Sequence, residues 1–301
     1  MATKSSRIQQ HRVRLPGTIV RTNSSGNNNG SNSTTSAADR LGMKALYLQR
    51  SQRSMALTHQ AFQDALLLNA NHAVNLGNYA LFLYLDCGRH DQAQQFFERA
   101  IRADAHNTTN LAHYANFLKC VRGDIGRAEV LYLQALHLAP HDPDLIGNYA
   151  GLLAKTPDGK GKAKQLLREG LQKAPGHRRN ILRLASLLSE QGQFEAAEAW
   201  LKQLLALLEA DDPQHQSATT LTQSTVKWHL ELAHVYGNYA NLLRKQPQRW
   251  EDAKKMYGMA MQFNPTHPLL QRNLYGFASF AVTSLFLRDW KNHTKPKLSS
   301  V

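Results

Sequence analysis

Apolar residues recur along this chain in a fixed figure. Leu76, Tyr79, Ala80 and Leu83 repeat as Leu111, Tyr114, Ala115 and Leu118, then as Ile146, Tyr149, Ala150 and Leu153. Ile181, Leu184, Ala185 and Leu188 follow, and then Tyr236, Tyr239, Ala240 and Leu243. Spacing of i, i+3, i+4, i+7 is one face of an amphipathic helix. The small residues Ala45, Ala80, Ala115, Ala150 and Ala185 stand 35 apart, and Ala240 comes one period plus 20 residues later. The phrase GNYA opens three of these helices, at 77–80, 147–150 and 237–240. Beyond most of them lies a second seam: Ala93, Ala128, Ala163 and Ala253, then Phe97, Tyr132, Leu167 and Tyr257, then Ala100, Ala135, Gly170 and Ala260. Small residues let two helix backbones approach, and the large residue fills the space beside them. Gly88, Gly123 and Gly192 fall where the chain must turn between the helices. Pro140, Pro175 and Pro265 stop the second helices.

Two helices per unit at a fixed period predict a helical solenoid. The small/Tyr/small set resembles the tetratricopeptide repeat (TPR) family over residues 40–265. The resemblance implies an all-α fold: a right-handed α-solenoid of about six helix-turn-helix repeats. The first copy departs from the pattern with Lys44 and Thr58 in place of Tyr and Ala. The fifth has Leu204 where a small residue is usual, which predicts looser packing of that second helix. The pentatricopeptide repeat, an RNA-reading rival of similar period, favours Met where Ala100, Ala135 and Ala260 stand here. Residues 209–222 form an inserted loop, and a helical pattern resuming near Ser224 predicts a lengthened first helix after it. Residues 266–289, with Gly276, Phe277, Phe280 and Phe286, are expected to form a capping helix or to bury against a partner. A basic tail, 290–301, closes the chain.

Charge adds a partner class. The net charge is +14 with pI near 9.9, which favours an acidic partner. Much of the excess sits in the tails. Residues 1–39 are an arm whose polar tract TNSSGNNNGSNSTTS buries too little apolar surface to order itself. The Arg-rich stretch before it also has the composition of an organelle-targeting segment. Two cysteines, Cys87 and Cys120, make no disulfide framework or zinc set and fit a reducing compartment. No apolar run is long enough to span a membrane. A cytoplasmic location is therefore expected, with organelle targeting through residues 1–38 as the alternative.

The resemblance also implies that first helices line a concave groove. The residues two before each small one are then groove-facing: Asn78, His113, Asn148, Arg183 and Asn238. So are those one after it: Leu81, Asn116, Gly151, Ser186 and Asn241. An Asn amide both donates and accepts, so a row of them suits the backbone of an extended peptide. The alternative is that these residues cap or bridge helices. Arg179 and Arg183, four apart beside Arg178, suit either an anion clamp or a solvated basic face. Lys119 and Arg244 are candidates for the same side. The two-carboxylate clamp known in the family needs Lys where Gly77, Ala112, Gly147 and Gly237 stand, so that activity is not expected. No catalytic motif occurs, and no enzyme activity, cofactor or metal is predicted. Cys87 and Cys120 read as small buried thiols, and the tryptophans share no repeat position that would stack bases. The reading is a protein-interaction scaffold for an extended, acidic peptide segment. RNA binding and a structural role within a larger assembly are its alternatives.

Overall fold

The computed structural model describes residues 36–52, 54–212 and 223–273. The N-terminal arm to residue 35, most of the insertion (213–222), residues 274–289 of the expected cap and the tail lie outside them. The described residues are helical throughout, in six hairpins. These are α1 (Ala37–Ser51) with α2 (Met55–Leu68), α3 (Ala73–Leu85) with α4 (His90–Ala103), and α5 (Thr108–Phe117) with α6 (Ile125–Leu138). There follow α7 (Pro143–Leu153) with α8 (Gly159–Lys173), α9 (Arg178–Glu190) with α10 (Phe194–Ala210), and α11 (Gln223–Arg244) with α12 (Trp250–Phe263). Helix resumes at 268–273. Among the described residues no helix is long and apolar enough to cross a membrane.

Each first helix packs on its own second helix, on the second helix before it and on the next first helix. The odd-numbered helices therefore form one continuous layer. Local chemistry sets their ends. Asn107 and Asp142 cap α5 and α7, accepting from Asn110 N and Leu145 N, each at 3.0 Å. Gly88, Gly123 and Gly192 have φ of 66°, 66° and 74° in the turns. This left-handed geometry lets Arg89 N bond Leu83 O at 2.8 Å and Asp124 N bond Leu118 O at 3.1 Å.

The alanine and aromatic seams are the core. Ala80, Ala93, Phe97, Ala100, Ala115, Tyr132 and Tyr257 are fully buried. Phe97 packs on both Tyr114 and Phe117 of the next hairpin, at 5.6 and 5.5 Å between ring centroids. Leu204 is fully buried in α10. Thr58 is also buried, its hydroxyl satisfied by Ser54 O at 2.9 Å, so the first hairpin closes despite its departures. One expectation needs correction: Cys120, read as a buried thiol, is exposed, because α5 ends in a π-helical turn, Leu118–Arg122, that rotates it outward.

GNYA proves to be a stacking phrase. Asn75 Nδ2 donates to Ala38 O at 3.0 Å, Asn110 to Ala73 O at 2.9 Å, and Asn180 to Pro143 O at 2.8 Å. Each amide thus reaches into the first turn of the preceding first helix. It fits because a glycine faces it: a Cβ on Gly42, Gly77 or Gly147 would lie 2.0, 1.9 or 2.1 Å from the Asn Oδ1. Where the incoming residue is Leu145 instead, the facing residue is Ala112. The tyrosine reaches back to the previous second helix. Its hydroxyl bonds His59 from Tyr79 at 2.9 Å, Glu98 from Tyr114 at 2.9 Å, Glu129 from Tyr149 at 3.0 Å, and Glu198 from Tyr239 at 2.6 Å.

This clasp generates a stability prediction. Gly77→Ala forces a methyl into the Asn110 amide and should cost about 1–3 kcal/mol in urea unfolding. Combined with Asn110→Ala, the two costs should add to less than their sum, by about 1 kcal/mol or more.

Candidate ligand-binding face

Arg183 organises the middle of the first-helix layer. It leaves α9 and lies along α7: a Cβ on Gly147 would be 2.5 Å from its Nη1, and one on Gly151 would be 3.9 Å from its Nε. Gly147 clears that path, and Gly151, one helical turn on, lies alongside it. Its Nη2 donates to Asn148 Oδ1 at 3.2 Å, so two of the predicted groove residues from successive units meet. Nη1 is buried without a hydrogen-bond partner, as is the Tyr132 hydroxyl. Burial lowers the Arg183 pKa. Lys119, at the π-turn of α5, holds its Nζ 5.8 Å from the Tyr132 ring centre. Burial also lowers the Lys119 pKa, and the nearby Arg183 and Lys155 charges lower it further. Two partly desolvated cations, from the third and fifth hairpins, therefore lie close together, and among the described residues neither Lys119 nor Arg183 has a carboxylate salt-bridge partner.

The other expected residues divide. Arg179 is held by Asp144 at 2.5 Å, which leaves Arg183 as the unneutralised half of the expected anion clamp. Arg178 turns to Asp211 and Glu231, tying α9 to the end of α10 and to α11. Asn78 is buried, and Asn116 is half-buried. Asn238 donates Nδ2 to His234 O in its own helix at 2.7 Å, and Asn241 Oδ1 accepts from the Tyr257 hydroxyl at 2.5 Å. Each of these two amides is thus half spent on structure and half free. Hairpin 3 carries the same residue pair, Tyr132 and Asn116, but the Tyr132 hydroxyl lacks that bond. The sequence reading named Gly147 and Gly151 but did not place them under Arg183, a contact that appears only when α7 and α9 lie side by side.

With this geometry in view, the comparisons place the chain. The family described as the cilia and flagella-associated protein 70 middle TPR-like domain matches residues 120–257, and the tetratricopeptide repeat family matches residues 75–107. The chain is a tetratricopeptide-repeat protein. Among solved structures, PilW, a widely conserved type IV pilus biogenesis factor, is similar at TM-score 0.58 and 19% identity, over 79% of this chain and 98% of that one. A thermophilic TPR protein of Thermus thermophilus is similar at TM-score 0.53 and 18% identity, over 68% and 98%. PilF of Pseudomonas aeruginosa is similar at 0.54 and 15%, over 79% and 97%. At these identities the likeness is one of fold. No curated protein sequence matches the chain.

His113, in α5, gives the face a pH signature. Burial pushes its pKa down from 6.5 to about 4, and Nδ1 has no partner. As pH falls below the unfolded value, the unfolded chain binds a proton that the folded one refuses. Stability should therefore fall by up to about 1.4 kcal/mol per pH unit until the folded pKa is reached. In urea unfolding, His113→Gln should lose less stability than the parent between about pH 7 and about pH 4.5.

Proposed function

We propose that the protein is an interaction scaffold that holds an extended, acidic segment of another protein along its first-helix face. The observation that carries this is Arg183, laid over Gly147 and Gly151, bonded to Asn148 and lacking a carboxylate partner among the described residues. A cation in that position is costly unless an anion arrives. A carboxylate from a ligand would relieve the repulsion with Lys119 and gain charge-assisted hydrogen bonds. Asn116 and Asn148 lie on the same face and suit the backbone of such a segment. Membership of the tetratricopeptide-repeat family supports binding rather than catalysis.

The test uses the full chain against an array of extended peptides, each in an acidic form and with Glu replaced by Gln. Acidic members should bind more tightly, and Arg183→Gln should weaken them by roughly tenfold. The melting temperature of Arg183→Gln should not fall, because a desolvated charge has been removed. Equal binding of both peptide forms, or a variant that unfolds while binding per folded molecule is unchanged, would contradict the reading.

A further inference from the structure

Between α9 and α11 the first-helix layer opens into a cleft of about 200 Å³. Sequence explains the space. Ser186 and Ser189 in α9 stand where α5 has Asn116 and Lys119 and where α3 has Leu81 and Tyr84. Small side chains leave room that those units fill; α7 has the still smaller Gly151 and Ala154, and there Arg183 of α9 lies alongside Gly151.

The lining has two characters. Leu182, Ala185, Leu201 and Leu242 contribute apolar surface. Lys245 Nζ is bonded to Ser189 Oγ and Glu190 to Lys160 Nζ, both at 2.9 Å. Both charged side chains are exposed, whereas Ala185, Leu201 and Leu242 are buried beneath them, so a group entering the cleft meets an apolar floor. Asn238 and Asn241 also face the cleft. Asn238 has spent an N–H on His234 O, so its carbonyl oxygen remains to accept. Asn241 has taken the Tyr257 hydroxyl on its oxygen, so its NH₂ remains to donate. One free acceptor and one free donor complement the N–H and C=O of a peptide backbone.

Volume chooses between a whole small molecule and one side chain. Small-molecule sites run to roughly 300–1,000 Å³, larger than this cleft. A dry cavity of about 150 Å³ is enough for a benzene ring. We propose that the cleft takes one large apolar side chain, of leucine or phenylalanine size, from an extended segment whose backbone meets Asn238 and Asn241. This rests on the peptide-binding reading above and adds a specificity element to it. An acidic group is recognised near Arg183, and an apolar residue is anchored between the fifth and sixth hairpins. Removing that side chain from a bound peptide should weaken it roughly 10- to 100-fold.

The experiment uses the full chain and three probes: N-acetyl-N′-methylamides of leucine, phenylalanine and glutamine. Side-chain amide signals of Asn238 and Asn241 and the backbone signal of Ser186 are followed by NMR. The leucine and phenylalanine probes should shift them saturably, and the glutamine probe should not. Ser186→Trp fills the cleft and should abolish the shifts; Ser186→Met serves if the larger variant fails to fold. Equal response to all three probes, no saturable response, or shifts that survive filling would each overturn the proposal. Peptide capture separates the two readings. If capture depends on Arg183 but not on Ser186→Trp, the anchor is wrong and the scaffold stands. If the probes bind saturably but Arg183→Gln leaves capture intact, the acidic-segment reading falls and the cleft stands.

Discussion

A carboxamide passed from one hairpin into the first turn of the hairpin before it fixes how this solenoid stacks. Helix packing alone tolerates sliding and rotation of tens of degrees. A hydrogen bond from Asn75, Asn110 or Asn180 to a backbone carbonyl of the preceding first helix removes most of that freedom. The facing glycine is part of the same device, since any Cβ there would occupy the amide's place. The tyrosine hydroxyls fix the other side of each hairpin against the previous second helix. Nonpolar seams supply the burial, and these directional bonds supply the phase.

Phase is what makes a shared face out of separate helices. With hairpins held in register, Arg183 can cross α7 and meet Asn148, and Lys119 and Arg183 from two hairpins gather near Tyr132. Further along the stack, the same register brings Ser186 opposite Asn238 and Asn241. The clasp is absent at two of the five internal steps: Leu145 stands opposite Ala112 between α5 and α7, and Val235 stands in the asparagine's place between α9 and α11. The buried core also resolves into two clusters that adjoin within α7. The unneutralised cations sit beside the first of these steps, where Tyr149 still bonds Glu129 but no carboxamide joins the two first helices.

Helix positions were legible in the sequence because burial is periodic, and a periodic signal survives without knowing any contact. The left-handed glycines at 88, 123 and 192 and the prolines after second helices were legible for the same reason. Interactions between units were not. Asn75 meets Gly42 at a spacing of 33, off the 35-residue period, so aligning copies does not pair them. The repeated phrase points to Asn78, whereas the structural asparagine lies three residues earlier, on the adjoining strip of the helix. The π-turn that turns Cys120 outward depends on local backbone hydrogen bonding, which no residue pattern marks. Arg183 was legible as a groove cation, but its confinement by Gly147 and Gly151 required two helices to be laid side by side.

Side-chain amide hydrogen exchange, read asparagine by asparagine in the intact protein, tests the account most directly. Asn75, Asn110 and Asn180 should exchange at least about tenfold more slowly than Asn116, Asn148 and Asn238, because only the first three donate a side-chain N–H to another hairpin. Equal rates across the six, or slower exchange in the second group, would mean that the stack is not held by the clasp and that its groove has no fixed register.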